Sequence, residues 1–258
     1  MRLFGPASTL FLLASLVAAA SAGLLGGPAA HESVLDLGHP LSESDPSWTG
    51  ERVFGRTALG TVEEDGYAMG KFFSDEHFGT HLDAPSHFAA GGWTVDQIPP
   101  SRLVRPGVCI NVEAKAREDD DYRLSLEDVK AFEATEGAIP EGAVVLVATG
   151  WDRRWARPDR YMNSREGVKH FPGISVEAAT YLARERKVAG IGIDTPSVDY
   201  GPSTDFETHR ATMPENVYHI ENAARLTALP PRGFTVVVAP IYLAGGTGGP
   251  TRVFALLP

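Results

Sequence analysis

The chain has 258 residues, with 23 Lys and Arg against 33 Asp and Glu and a formal net charge of −10. That balance argues against a polyanionic partner such as nucleic acid, whose phosphates need clustered basic side chains. A single cysteine, Cys109, leaves no internal disulfide, so the core alone must hold the fold.

The first element is a leader. One basic residue, Arg2, precedes an apolar run from about Leu10 to Ala20, and Ala20-Ser21-Ala22 supplies the small residues of a cleavage site. The run is too short to span a bilayer, and no basic stop-transfer cluster follows it. Residues 1–22 are therefore expected to be a signal peptide, with no membrane segment after cleavage. Secretion, or another compartment reached through the secretory pathway, follows. Residues 23–258, about 235 of them, suit one domain.

Short Val- and Ile-rich runs bounded by Gly and Pro predict buried strands at 33–38, 107–114, 143–150, 188–194, 234–240 and 252–257. Cys109 sits inside one of them, as inert packing. Between them, Ser125 with Asp128 three residues on makes a capping-box start for a helix that ends at Gly137. A second helix runs from Ser175 to Lys187, acidic in its first turn and basic in its last. Strands interspersed with helices predict an α/β fold, mixed sheet packed against flanking helices. The glycine-rich stretch 245–252 lacks the Gly-Lys-Ser/Thr of a phosphate-binding loop and reads as a loop between two strands. Asp194 and Asp199, in "GIDTPSVDYG", read as parts of a structural turn shaped by Pro196 and Gly201.

The chemistry concentrates in "HFGTHLDAPSHF", residues 77–88. Gly79, Thr80 and Pro85 make a continuous helix costly, whereas a strand puts 77, 81, 83 and 87 on one face and Phe78, Leu82 and Phe88 on the other. Fully extended, His77 and His81 would lie about 13 Å apart, too far to share an ion at about 2 Å. The backbone must bend, and Gly79 is where positive φ carries no penalty. Pro85 then ends the strand and turns His87 back toward the site. An ion also removes the mutual repulsion of clustered histidines by requiring them neutral.

The pattern His-x-Gly-Thr-His-x-Asp-x-Pro-x-His, met at His77, Gly79, Thr80, His81, Asp83, Pro85 and His87, resembles the signature of the cyclase-like family of metal-dependent amidohydrolases, which includes bacterial kynurenine formamidases and isatin hydrolases. Further segments carry the resemblance from about Val34 to the C-terminus: "GIDTPSVDYG", "THR" (208–210), "HIENAARL" (219–226), "LPPRGF" (229–234) and "GTGGPTRVFAL" (246–256). It implies a β/β/α domain of the swivelling type, usually a homodimer or larger. It also implies that His77, His81 and Asp83 ligate one divalent ion, Zn or Mn, with Asp83 bridging to a second ion completed by His209 and Glu221. Because isatin hydrolases of this type lack that glutamate, Glu221 leans the chain toward two-metal, formamidase-like chemistry. "GWDRRW" and "GTGGPTR" are like the isatin-hydrolase side. His87 takes the place of the family's acid/base histidine, with a pKa expected near neutral, and Trp48 that of a residue stacking the substrate's aromatic ring. Thr49 and Glu51 depart from the formamidase pattern around Trp48.

Two functional classes follow. One is an amide hydrolase acting on a small arylformamide of tryptophan catabolism, or alternatively on a cyclic aryl amide. The other is a secreted, non-catalytic metal-binding or interaction protein on the same fold, which the altered surroundings of Trp48 alone suggest. An intact ligand set favours the enzyme.

Overall fold

A computed structural model describes residues 33–258. The predicted leader lies outside the described residues. Ten strands carry the architecture: β1 Ser33–Asp36, β2 Phe54–Gly60, β3 Met69–Ser74, β4 His81–Asp83, β5 Val104–Asn111, β6 Val144–Ala148, β7 Gly190–Ile193, β8 Tyr218–Glu221, β9 Phe234–Pro240 and β10 Gly248–Leu257. Eight of them form one sheet in the order β1-β10-β9-β5-β6-β7-β8-β4, and β10 also pairs with β4. That last pairing, Gly248 to Pro250 against Asp83 to His81, closes the sheet into a seven-stranded barrel-like ring. Strands β5 to β8 run parallel to one another, and the other pairs are antiparallel. The sheet is thus mixed, as expected for this α/β fold.

The continuous apolar strand segments follow from burial on both faces. In β6, Val144, Leu146 and Ala148 join the cluster enclosed by the ring with Leu82, Ile220, Val236 and Val253. Val145 and Val147, on the opposite face, pack with Val129, Ala178 and Leu182 of the helical layer. That layer is built as the sequence predicts. Helix α1, Leu126–Glu136, begins at Ser125, whose side chain and that of Asp128 reciprocally cap each other's backbone amides, and stops at Gly137. Helix α2, Val176–Thr180, starts at the Ser175 cap and then widens into a π turn over Tyr181–Glu185.

Two expectations are corrected. The glycine-rich stretch 245–252 is loop only to Thr247, since β10 begins at Gly248, where the backbone must come close enough to β4 for pairing. Strand β5 ends at Asn111, and Glu113 opens a short helix, Glu113–Glu118. Cys109 is buried in the ring's interior cluster. Burial pushes its thiol up to about 12. Strands β2 and β3 form a separate antiparallel ribbon whose large side chains, among them Leu59, Met69, Phe72 and Phe73, are exposed. No helix of the described residues is long and apolar enough to cross a membrane.

Candidate metal centre

The predicted bend is where the sequence places it. Gly79 has φ +64°, which glycine adopts without penalty, and the one atom a Cβ would crowd there is the movable tip of the Leu41 side chain, so it is the backbone that requires glycine. Beyond the bend only His81–Asp83 is strand. Pro85 then opens a 3₁₀ turn, Pro85–His87, which brings His87 back over the site. Phe78 and Leu82 are buried on the opposite side, as the alternation requires, whereas Phe88, expected with them, lines the cavity because the 3₁₀ turn breaks the alternation.

His77 Nδ1 and His81 Nε2 converge on the same oxygen, Asp83 Oδ1, at 2.6 and 3.0 Å. The other elements complete the cluster. Antiparallel pairing of β4 with β8 sets His81 opposite Glu221 and Asp83 opposite His219. His81 Nε2 lies 3.5 Å from Glu221 Oε2. Helix α3, Glu207–Thr212, delivers His209, whose Nε2 is 3.4 Å from Asp83 Oδ2 and 3.3 Å from Glu221 Oε1. Asp83 thus stands between the two groups, with Oδ1 toward His77 and His81 and Oδ2 toward His209.

Each imidazole is oriented from behind. His81 donates Nδ1–H to the Gly79 carbonyl at 2.9 Å. His209 donates Nδ1–H to Asp199 Oδ2 at 2.6 Å. His77 Nε2 lies 3.1 Å from the Thr247 hydroxyl, which donates its own proton to Glu76 at 2.6 Å, so the ring donates there and Nδ1 keeps its lone pair toward Asp83. This pattern, an outward N–H held by oxygen and an inward lone pair, is how ligating histidines are presented to a metal.

The electrostatics fit a divalent ion. Burial opposes charge on His81, yet the facing Asp83 and Glu221 outweigh it and hold the ring up at about 9. His209 is raised likewise by Asp199, Asp83 and Glu221 against the same burial. Burial raises Asp83, but the three imidazoles carry it well below the carboxylate range, while burial and Asp83 push Glu221 up. Asp83 Oδ2 is buried without a hydrogen-bond donor. Two buried carboxylates that draw extra protons onto the facing imidazoles, plus an orphaned carboxylate oxygen, make a site whose negative charge a divalent cation satisfies.

A cavity of about 700 Å³ opens over the cluster. Trp48 and Thr49 stand at its rim, and Phe88 and Phe206 line its wall. Trp48 is 42% exposed and meets Phe206 at 6.2 Å between ring centroids, with Lys169 Nζ 4.1 Å above its face. His87 stacks on His77 at 3.9 Å. Desolvation on its cavity side, with the neighbouring imidazoles, pushes His87 down to about 4 although the residue reaches solvent, below the near-neutral value expected from the sequence.

Every site residue expected from the sequence lines this cavity. One reading is corrected: Asp199 is no mere turn residue, because its carboxylate accepts from the Thr208 and His209 amides as well as from the His209 ring. Asp194 does not brace its own turn either: its buried carboxylate accepts from Thr149 and Gly150, beyond the end of β6. Asn222 was not foreseen. It donates to the Gly79 carbonyl at 2.8 Å and accepts from Tyr161, and it holds φ +54° in doing so. No spacing rule points to such a residue; only the fold brings 222 to 79.

The family model described as "Putative cyclase" matches residues 35–200. An isatin hydrolase of Roseibium aggregatum is 33% identical over 71% of this chain and 72% of its own length. The chain belongs to the cyclase family. Within that family, the kynurenine formamidase of Salinibacter ruber is 25% identical over 85% of this chain and 95% of its own. The solved structure of isatin hydrolase A from Ralstonia solanacearum superimposes with a TM-score of 0.81 at 34% identity, covering 88% of this chain and 92% of that one. Both named activities are hydrolytic, and the chain is a cyclase-family hydrolase.

Proposed function

We propose that this cyclase-family protein is a two-metal amide hydrolase of the kynurenine formamidase type, acting on a small arylformamide. The observation that carries this reading is the meeting of His209 and Glu221 with Asp83 at the far side of the His77–His81–Asp83 group. His77, His81 and Asp83 would hold one ion, and Asp83, His209 and Glu221 a second, either zinc or manganese on this nitrogen and oxygen donor set. When bound, divalent ions supply Lewis acidity, bringing the pKa of water toward about 7 and polarising the substrate carbonyl.

The chain's own residues do the rest. Trp48, Phe88 and Phe206 present aromatic surface to the substrate ring and narrow the mouth against bulk water. His87, neutral and standing over His77, accepts the proton of the attacking water and returns it to the departing nitrogen. One water is consumed, the acyl–nitrogen bond breaks, and a carboxylic acid and an amine leave. His77, His81 and His209 keep their geometry throughout because their outer N–H groups are tied to Thr247, Gly79 and Asp199.

A second reading, opening of a cyclic aryl amide, is favoured by one observation: identity to the isatin hydrolases is 33–34% against 25% to the formamidase. Metal analysis followed by spectrophotometric assay with N-formylkynurenine and with isatin decides between them. About two ions per chain and preferred turnover of the formamide support the main reading. Preference for isatin supports the second, and bound metal with neither turnover supports a binding protein. The His87→Gln enzyme should retain metal and lose about 10²- to 10⁴-fold in kcat; a loss under tenfold removes His87 from the chemistry.

The same reading has the protein exported by its 1–22 leader and assembled with a second copy. A two-stranded ribbon is marginal by itself, and the exposed Leu59, Met69, Phe72 and Phe73 on β2–β3 are what a second copy would cover. A monomer by light scattering would overturn that assembly.

A further inference from the structure

One imidazole of the centre has no role in the scheme above. His219 lies on β8, two residues before Glu221 and in register with Asp83 of β4, so its side chain faces the same side of the sheet as theirs. It is fully buried, and its ring lies 4.7 Å from that of His209. Its Nε2 is 2.7 Å from the Thr212 hydroxyl, and that hydroxyl donates its own proton to the Thr208 carbonyl at 2.8 Å. Nε2 must therefore carry the ring proton, and Nδ1 keeps its lone pair. This Nδ1 is buried without any donor, as is Asp83 Oδ2. His77 shows the same arrangement, with Thr247 and Glu76 in place of Thr212 and Thr208.

A buried lone pair without a donor needs a cation or a water. One donor atom each from Asp83, His209, His219 and Glu221 lies within 4.8 Å of the others. Four tetrahedral ligand atoms about 2.0 to 2.2 Å from one ion stand about 3.3 to 3.6 Å apart, so the four groups must draw inward to close on it. The first position has His77, His81 and Asp83, and one donor atom each from His77, Asp83 and His87 also lies within 4.8 Å of the others.

Resting on the two-metal reading, we propose that His219 is a further protein ligand of the second ion. Asp83, His209, His219 and Glu221 then form a closed set of two nitrogens and two oxygens. Such a set suits zinc. The ion at His77, His81 and Asp83 keeps the open coordination that substrate and water need. The second ion would then also tie β4, β8 and α3 together.

The test is metal binding by the full mature chain, followed by competition with a chromophoric zinc chelator and by elemental analysis after gel filtration. Wild type should show one tightly held and one weaker zinc. His219→Phe, which keeps the ring and removes the lone pair, should weaken the tight ion at least 10- to 100-fold and leave the weaker one within threefold. Thr212→Val, which keeps the imidazole and removes its support, should weaken the tight ion about tenfold. If folded His219→Phe holds both ions within threefold of wild type, His219 is no ligand, while the two-metal reading stands. Should wild type bind no ion at all, both ideas fall together. If His219→Phe does not fold, Thr212→Val decides: unchanged zinc affinity overturns the proposal.

Discussion

Replacing Asp199 by Asn tests whether the histidine orientation seen here matters to the metal. In the native protein, Asp199 Oδ2 accepts from His209 Nδ1 at 2.6 Å and Oδ1 accepts from the Thr208 amide at 2.8 Å. Asparagine has one acceptor and one donor where both partners are donors. If its oxygen stays with Thr208, its NH₂ faces Nδ1–H, and relief requires the ring proton to move to Nε2, the atom aimed at Asp83 and Glu221. If the amide flips, His209 keeps its tautomer but the Thr208 N–H is left buried and unpaired, which costs about 1–3 kcal/mol of stability. Loss of a carboxylate behind a ligating histidine typically weakens metal binding 10- to 100-fold, or about 1.4 to 2.7 kcal/mol. We expect Asp199→Asn to fold, to lose affinity by that factor at the second position in zinc competition, and to leave the first position within about threefold. Equal affinities for wild type and a folded Asp199→Asn would refute the idea that Asp199 presents His209 to a metal.

Three further outcomes are expected. Chelation should lower the melting temperature: an ion present at 100 times its Kd contributes about 2.7 kcal/mol, roughly 5–10 °C for a domain of this size, and readdition of zinc or manganese should restore it in calorimetry. Asp194 should make stability fall with rising pH. Burial pushes its carboxyl up to about 7, against an ordinary value of 3.8, so the folded chain holds this proton more tightly. The contribution is complete below pH about 4 and lost as pH rises through 7, to about 4 kcal/mol; denaturant midpoints at pH 5 and 8 should differ less in Asp194→Asn, and parallel profiles would contradict this. Cys109, buried with its thiol held up at about 12, should resist Ellman's reagent in the native state and react once the protein is unfolded in urea.

Legibility in the sequence tracked how local each device is. The bend at Gly79, the turn at Pro85 and the Ser125–Asp128 cap are settled within four residues, and each stands where composition places it. The apolar runs also gave the strand segments of the ring, because strands buried on both faces cannot hide polar residues. Ring closure was not legible. It depends on Gly248, Gly249 and Pro250 accepting β4 as a neighbour 165 to 169 residues away in the chain, and a run of glycines looks the same in a loop as in a tightly paired strand.

The site divides along the same line. His77, His81 and Asp83 announce themselves by spacing, whereas His209 and Glu221 are separated from them by more than 120 residues and became visible only through family resemblance. Asp199, between Pro196 and Gly201, has the sequence signature of a turn residue. It is one, and its carboxylate nevertheless holds the nitrogen of a metal-ligand candidate ten residues later. Asn222 and Thr212 carry no pattern at all. What distinguishes them is the direction of a hydrogen bond: each fixes a backbone carbonyl or an imidazole so that a lone pair faces inward. A metal centre is specified by lone-pair directions as much as by ligand identity. Directions are set by tertiary contacts, which is why the ligands could be read from the chain and most of the groups that aim them could not.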